Sequence, residues 1–346
     1  MEIYAYAVAV LLWLSMIAFA VLGGADFGGG IWNVLFFGRN VKEARSLIRG
    51  ALGPVWEANN VWLIYIVVGL YTGFPIVAAS VANALFIPLT LALIGFVMRG
   101  AAFAFRTQPS RTGGMSTVWG LGFGVASLLT PFMFGAIAAA VASGAIPVRN
   151  GQGPVALIGA WLTPFALTVA VIALAVSATI AAIFLTVEAQ RIDSRDLMEA
   201  FRLRALIALG VTALLGLLGL FLSISEAPVI WHGMLDHGWW AVGITMLIGI
   251  GTAAALFFRR YKLARVLIVM EVAAFLGAWG ISQLPYILPP NLTVVQAASP
   301  PTTMREFLYS ALVGLLVLLP SFWFLFHVFK FQMAVPQVHE EEVKEG

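Results

Sequence analysis

The sequence contains no cysteine and few charged residues. The absence of Cys from its 346 residues excludes structural disulfides, thiolate metal sites, iron–sulfur clusters and cysteine nucleophiles. Only 10% of the residues are charged, against about 25% in an ordinary soluble domain. Hydrophobic residues make up 61% of the chain, which is more than a soluble globule can cover, because its outer surface must face water. The composition therefore predicts a membrane protein.

Histidine is also scarce. The chain has four, namely His232, His237, His327 and His339, and only His327 lies in an apolar block. Ligation of a haem by a pair of histidines would need two of them at similar depth in the membrane. We therefore expect that this chain alone binds no haem and no metal ion, and that His327 makes a structural hydrogen bond.

Apolar blocks of the length that a transmembrane helix needs, about 20 residues, recur along the chain. Each is predicted to be helical, because lipid offers the backbone no hydrogen-bond partner. The nine predicted spans cover residues 4–27, 54–74, 77–103, 118–141, 155–187, 203–222, 239–258, 263–284 and 307–329. The prediction is an all-α membrane protein with one polytopic transmembrane domain over residues 1–335 and an acidic cytoplasmic tail over residues 336–346.

The basic residues alternate with the predicted spans. Of the 19 Lys and Arg residues, all except Arg149 and Arg305 lie in the connections that follow odd-numbered spans or within five residues of these connections. The positive-inside rule assigns these segments to the cytoplasm, which puts the N-terminus outside and the C-terminus inside. One span more or fewer would destroy the alternation, so the number of spans and the orientation support each other.

Three acidic residues, Asp26, Glu57 and Glu271, lie in apolar blocks. A charge inside a membrane costs about 2.5–3.5 kcal/mol on insertion scales, so an acid there needs a reason. Asp26 lies in a glycine-rich run, where close helix packing could bury it as a proton relay. It could equally lie in an interfacial turn, because a helix that starts at Tyr4 has already crossed the bilayer by Gly24.

Glu57 has a structural and a functional interpretation. An acid in a first helical turn that follows Pro54 complements the helix dipole. However, Asn59 and Asn60 follow closely and need hydrogen-bond partners if they are buried. Since the first span runs inward and the second outward, Asp26 and Glu57 should lie at similar depth near the cytoplasmic side. The candidates for a proton path are therefore Asp26, Glu57, Asn59 and Asn60.

The remaining intramembrane charges give weaker predictions. Glu271 is expected to pair with another helix or a partner subunit, because Arg265 is six positions earlier and not on the same helix face. Arg99 and Arg106 are expected to snorkel to the inner interface from the end of the third span. No phosphate-binding loop, nucleophile elbow or metal-ligand spacing occurs, so no catalytic residue and no metal site is predicted.

Taken together, the motifs resemble those of subunit II of the cytochrome bd-type quinol oxidases. The resemblance is carried, in order and spacing, by GADFGGG at residues 24–30, GPVWEANNVWL at 53–63, RGAAFAFR at 99–106 and PPNLTV at 289–294, and it covers nearly the whole chain. The family often has aspartate and glycine where this chain has Glu57 and Ala58. It commonly has a glutamate where this chain has Ala104, so no role of that carboxylate is carried over.

The resemblance implies a function and a set of partners. These oxidases reduce dioxygen to water with electrons from the substrate quinol and take protons from the cytoplasm. Subunit II is expected to have two four-helix bundles plus one peripheral helix and to bind no haem, while two haems b and one haem d lie in a homologous subunit I, its heterodimer partner. A small single-helix accessory subunit, membrane lipid and quinone are further expected partners in a bacterial or archaeal cytoplasmic membrane, and nucleic acid is not. A proton-coupled secondary transporter and a purely structural scaffold subunit stay open as alternatives.

Overall fold

The computed structural model describes residues 2–35, 40–52, 56–106, 114–148 and 156–332. Side chains are described for these residues except 52, 56–58, 106, 114–117 and 325–332. The described chain is almost entirely helical, as the apolar blocks predict. Its helices are α1 Glu2–Leu35, α2 Val41–Leu52, α3 Trp56–Gly73, α4 Pro75–Ala84, α5 Phe86–Arg106, α6 Gly114–Ala142, α7 Ile158–Trp161, α8 Pro164–Arg191, α9 Arg195–Glu226, α10 Pro228–Gly233, α11 Trp239–Phe257, α12 Tyr261–Gln283, α13 Val294–Ala297 and α14 Pro301–Gln332.

Eight helical segments of the described chain are long and apolar enough to cross a membrane. A bent pair, formed by Asn59–Gly73 and Pro75–Ala84 with 116° between its two parts, makes a ninth if it counts as one span. This agrees with the all-α membrane class predicted from the sequence. The orientation of the termini and the division into two four-helix bundles with one peripheral helix stay predictions.

Helix α1 is longer than the sequence predicts. The predicted span ends at Phe27, whereas the helix continues to Leu35 and is about 50 Å long. The run of glycines does not end it, because the neighbouring helices pack closely against those glycines. The interpretation of Asp26 as part of an interfacial turn is therefore wrong, since this residue lies in the body of a helix.

The third predicted span, residues 77–103, is also not one continuous helix. It is interrupted at Leu85, between α4 and α5. Pro88 has no N–H to donate to the Ala84 carbonyl, so the hydrogen bond that would continue the helix cannot form. The Leu157 N–H donates to that carbonyl instead, at 2.7 Å. A residue just before α7 thus supplies the N–H donor that Pro88 lacks.

The fifth predicted span, residues 155–187, starts too early. Val155 lies outside the described residues, and the long helix α8 begins only at Pro164. Thr163 caps it by accepting a hydrogen bond from the Ala166 N–H at 3.1 Å, and proline is favoured at the first helical position. The preceding residues form the separate short helix α7.

The proline-rich connection between α12 and α14 contains the small sheet of the described chain. Strand β1, Tyr286–Leu288, pairs antiparallel with β2, Leu292–Thr293, and a capping box then starts α13. Ser299 ties this loop to α3, because its hydroxyl donates to the Thr72 carbonyl at 2.7 Å. Helix α14 begins at Pro301, six residues before the predicted start of the ninth span.

The buried apolar side chains form two large clusters. One joins the second half of α1 to α2, α8, α9, α11 and α12. The other joins the first half of α1 to α4, α5, α6, α13 and the proline-rich loop. Helix α1 therefore contributes to both clusters, and Asp26 lies in the half that faces the first of them.

Candidate functional site

The centre of the candidate site is a buried ion pair between Asp26 on α1 and Arg99 on α5. Each residue is only 5% exposed, and Arg99 Nη1 contacts Asp26 Oδ2. The same guanidinium donates from Nη2 to the Asp26 carbonyl at 3.1 Å. Its Nε donates to Ser127 Oγ on α6 at 3.2 Å. Three helices are thus joined by one arginine side chain.

Two aromatic rings complete the surroundings of the guanidinium. Its central carbon lies 4.7 Å from the ring centre of Phe27 and 5.0 Å from that of Phe123, distances typical of cation–π contacts. Ser127 donates its hydroxyl proton to the Phe123 carbonyl at 2.7 Å, which leaves the hydroxyl oxygen free to accept from Arg99. The prediction that Arg99 snorkels to the interface is therefore wrong, because Asp26 and the two rings hold it inside the protein. The Arg106 side chain lies outside the described residues.

Two glycines that follow Asp26 allow the neighbouring helices to reach this site. A Cβ at Gly28 would lie 1.9 Å from the Ser177 carbonyl oxygen of α8, and one at Gly30 would lie 2.0 Å from Ser127 Oγ. Neither distance is possible for a real side chain, so only glycine permits this packing. The expected close approach of helices at the glycine-rich run is confirmed at these two positions.

Asn59 on α3 contacts α1 at Leu22, one helical turn before Asp26. Asn59 is 4% exposed, and its Nδ2 donates to the Leu22 carbonyl of α1 at 3.2 Å. Asn60 is half-buried, and the structure gives it no contact with this cluster. Glu57 belongs to α3, but its side chain lies outside the described residues. The structure therefore brings together Asp26 and Asn59 of the four predicted proton-path residues.

Three buried side-chain oxygens near α1 have no hydrogen-bond partner among the described residues. They are Asp26 Oδ1, Asn33 Oδ1 and Asn59 Oδ1. Leu22, whose carbonyl holds Asn59, precedes Asp26 by four residues, and Asn33 follows Asp26 by seven, so all three positions fall on one helix face. They spread over about 16 Å along the helix axis. Buried polar oxygens usually have a partner, and ordered water is the usual one where the protein supplies none.

The other titratable residues lie apart from this cluster. Glu271 on α12 is half-buried, and its Oε2 lies 2.8 Å from the Thr252 hydroxyl of α11. It therefore pairs with another helix, as expected, but with a neutral hydroxyl group. His232 contacts the Pro228 carbonyl of its own helix α10, and His237 contacts the Ile281 carbonyl near the end of α12. His327 and His339 lie outside the described side chains. Among the described residues, no three His, Cys, Asp or Glu side chains could hold a metal ion together.

Comparison with known proteins decides the family. The model of the cytochrome bd terminal oxidase subunit II family matches residues 4–329. The chain belongs to the cytochrome bd oxidase subunit II family. It is 23% identical to the putative cytochrome bd menaquinol oxidase subunit II of Bacillus subtilis over 92% of this chain and 93% of that one. It is 30% identical to the cytochrome bd-I ubiquinol oxidase subunit 2 of Escherichia coli, over 36% and 32% of the two chains.

Structural comparison agrees with this family. The chain superposes on the bd oxidase from Geobacillus thermodenitrificans with a TM-score of 0.76 and 25% identity, covering 96% of this chain and 99% of that one. Members of the family are part of a terminal quinol oxidase, an oxidoreductase complex. The apolar helices and the bacterial relatives support a multi-pass protein of a bacterial cytoplasmic membrane.

The Asp26 cluster comprises Asp26, Phe27, Asn33, Asn59, Arg99, Phe123 and Ser127. The sequence predictions missed three of these residues, namely Asn33, Phe123 and Ser127. Ser127 and Phe123 are ordinary residues of an apolar span, and nothing in their spacing indicates an arginine partner. Arg99 did carry a usable indication, because it lies four residues inside the predicted end of its span. A cation at that position could have been matched with Asp26, the unpaired acid at the inner end of the first span.

Proposed function

We propose that this chain is the haem-free subunit II of a terminal respiratory quinol oxidase, which reduces dioxygen to water with electrons from quinol. In this proposal its helices support a haem-bearing subunit I, in which two haems b and one haem d reside. Family membership and the relatives named as menaquinol and ubiquinol oxidase subunits support the assignment. The absence of cysteine and the small number of histidines leave this chain few possible haem ligands.

We further propose that the Asp26 cluster conducts protons from the cytoplasmic side toward subunit I. The observation that carries this is a set of three buried oxygens without a partner among the described residues, on Asp26 and Asn33 of α1 and on Asn59 of the adjacent helix α3. Water molecules bound to Asp26, Asn33 and Asn59 would form a hydrogen-bonded chain along which a proton can move. Glu57 and Asn60, one turn or less from Asn59 along α3, are proposed to deliver protons to it.

A scaffold role is the second candidate, and the Asp26–Arg99 ion pair favours it. One carboxylate oxygen of Asp26 is occupied by Arg99, whose remaining donors fix α1 to α5 and α6. An acid with this partner can serve entirely to hold three helices together. The two candidates predict different effects when the ion pair is replaced by a neutral pair.

The test uses the double variant Asp26→Asn/Arg99→Gln in the intact complex. Both replacements keep hydrogen-bonding groups at the site but leave no buried charge without a partner. We expect this variant to assemble with a normal haem content, while oxygen consumption at saturating quinol and proton uptake both slow. Normal oxygen consumption in the assembled double variant would reject the proton path and leave the scaffold role.

A matched control separates this effect from the general loss of an ion pair. The double variant Arg305→Gln/Glu306→Gln removes an exposed pair at the start of α14, where the two side chains are 47% and 64% exposed. It should leave both haem content and oxygen consumption at the wild-type level. Slowing of both double variants to the same extent would show that the assay reports stability alone.

A further inference from the structure

Glu271 is a second acid in the membrane-spanning part of the chain, and the proposed proton path does not use it. It lies ten residues after the start of α12, about 15 Å along the helix, and so near the middle of a hydrocarbon layer of about 30 Å. Helix α11, which packs beside it, has no charged residue between Trp239 and Phe257. A carboxyl group at this depth is stable only if a nearby cation neutralises its charge or if it is protonated.

The hydrogen bonds around Thr252 indicate which of these two conditions applies. The Thr252 side chain is completely buried, and its Oγ lies 2.8 Å from Glu271 Oε2 and 3.0 Å from the Ile248 carbonyl oxygen. A hydroxyl group has one proton and can donate only one of these two bonds. If Glu271 is ionised, Thr252 has to share its one proton between the carboxylate and the Ile248 carbonyl. If Glu271 is protonated, it donates to Thr252 Oγ, the threonine donates to Ile248, and each bond has a proton of its own.

The backbone of α11 is shaped to receive this carboxyl group. A Cβ at Gly249 would lie 3.0 Å from Glu271 Oε1, so a larger residue would press on the carboxyl group. Gly249 and Thr252 are three positions apart on the same face of α11. Gly249 therefore leaves space for Oε1 of Glu271, and Thr252 forms a hydrogen bond with Oε2.

No cation among the described residues pairs with Glu271. Arg265, on the same helix, lies 3.6 Å from Glu188 and over the ring of Phe184, and is about 9 Å from Glu271 along the axis. The other charged or titratable residues on α12 and on the elements packed against α11 and α12 are Tyr261 and Lys262 on α12, Glu188 and Arg191 on α8, Arg195, Asp196, Glu199, Arg202, Arg204 and Glu226 on α9, Glu2, Tyr4, Tyr6 and Asp26 on α1, and His232, Asp236 and His237 before α11. Asp26 is bound to Arg99, and the ion pairs and hydrogen bonds of the described residues connect none of the others to Glu271.

We propose that Glu271 and Thr252 form a proton-binding site separate from the Asp26 cluster. In this site the Glu271 carboxyl is protonated at neutral pH and donates to Thr252 Oγ, and the ligand is a proton that has no counter-cation among the described residues. The site joins α11 to α12 through a chain of two hydrogen bonds that ends on the Ile248 carbonyl. It requires neither a haem nor a particular role of subunit II in the oxidase.

Infrared spectroscopy of the purified complex tests the proposal. The spectrum of the wild type minus that of Glu271→Gln at pH 7 should contain the C=O stretching band of a protonated carboxylic acid, and this band should shift when H₂O is replaced by D₂O. A pair of carboxylate bands in the difference spectrum, with no carboxylic acid band, would overturn the proposal.

Thr252→Val provides a second measurement that does not depend on the folding of the first variant. Valine has nearly the shape of threonine but cannot accept a hydrogen bond, so the acid band of Glu271 should move to higher frequency and keep its intensity. An unchanged spectrum would show that Thr252 is not the partner of a protonated Glu271, and it too would overturn the proposal. The double variant Asp26→Asn/Arg99→Gln is the control, and it should leave this band unchanged.

Discussion

Replacing one member of the Asp26–Arg99 pair should cost far more stability than replacing both. The side chains of Arg99 and Asp26 are only 7% and 6% exposed, so water cannot screen a charge that loses its partner. Removing one partner of such a buried pair costs about 3–5 kcal/mol, whereas a neutral pair of similar size is often neutral in stability or better. The single variants Asp26→Asn and Arg99→Gln should therefore each lose several kcal/mol, and the double variant should regain most of it.

The assay is a double-mutant cycle on the free energy of unfolding, measured by denaturant titration of the purified complex in detergent. A coupling energy of about 3 kcal/mol or more is expected, because each single variant leaves a buried charge alone. The exposed pair of Arg305 and Glu306 is the reference and should couple far more weakly, because water screens both charges. If the effects of the two single variants add to within about 0.5 kcal/mol, the ion pair is not formed as described and the reasoning fails.

Two further predictions concern the packing of α1. Gly28→Ala would place a Cβ 1.9 Å from the Ser177 carbonyl oxygen and should prevent assembly of the complex, which size-exclusion chromatography would show as loss of the intact peak. Gly243→Ala is the control and should assemble normally, because no atom lies within 4 Å of its Cβ. Asn59→Leu removes the donor to the Leu22 carbonyl at 3.2 Å and should lower the free energy of unfolding by about 1 kcal/mol while slowing proton uptake. Wild-type proton uptake in this variant would exclude Asn59 from the path.

Most of the helices could be predicted from the sequence because they depend on local composition. A run of about 20 apolar residues has few stable alternatives to a helix in lipid, whatever the rest of the chain does. Helix ends were predicted less well, since they depend on distant contacts. Helix α1 continues past Phe27 because α6 and α8 pack against its glycines, and the α4–α5 break uses the N–H of Leu157, more than 70 residues after Ala84.

The candidate site was only partly predictable for the same reason. Asp26 and Asn59 could be selected as polar residues in apolar surroundings, and the structure places both at the cluster. Arg99 is 73 positions from Asp26, and no periodic pattern within one helix relates two residues on different helices. Its basic charge fits the positive-inside rule equally well whether it faces the interface or the protein interior, so topology alone could not reveal the ion pair.

The central claim is that this chain is the haem-free subunit of a quinol oxidase, and a reduced-minus-oxidised absorbance spectrum tests it most directly. The complex is purified through a tag on this chain, and its subunits are identified in the same preparation. We predict a second large membrane subunit, the bands of haems b and d, and loss of these bands from this chain when the two are separated. A chain that purifies alone, without haem, and carries out proton-coupled transport would contradict the account.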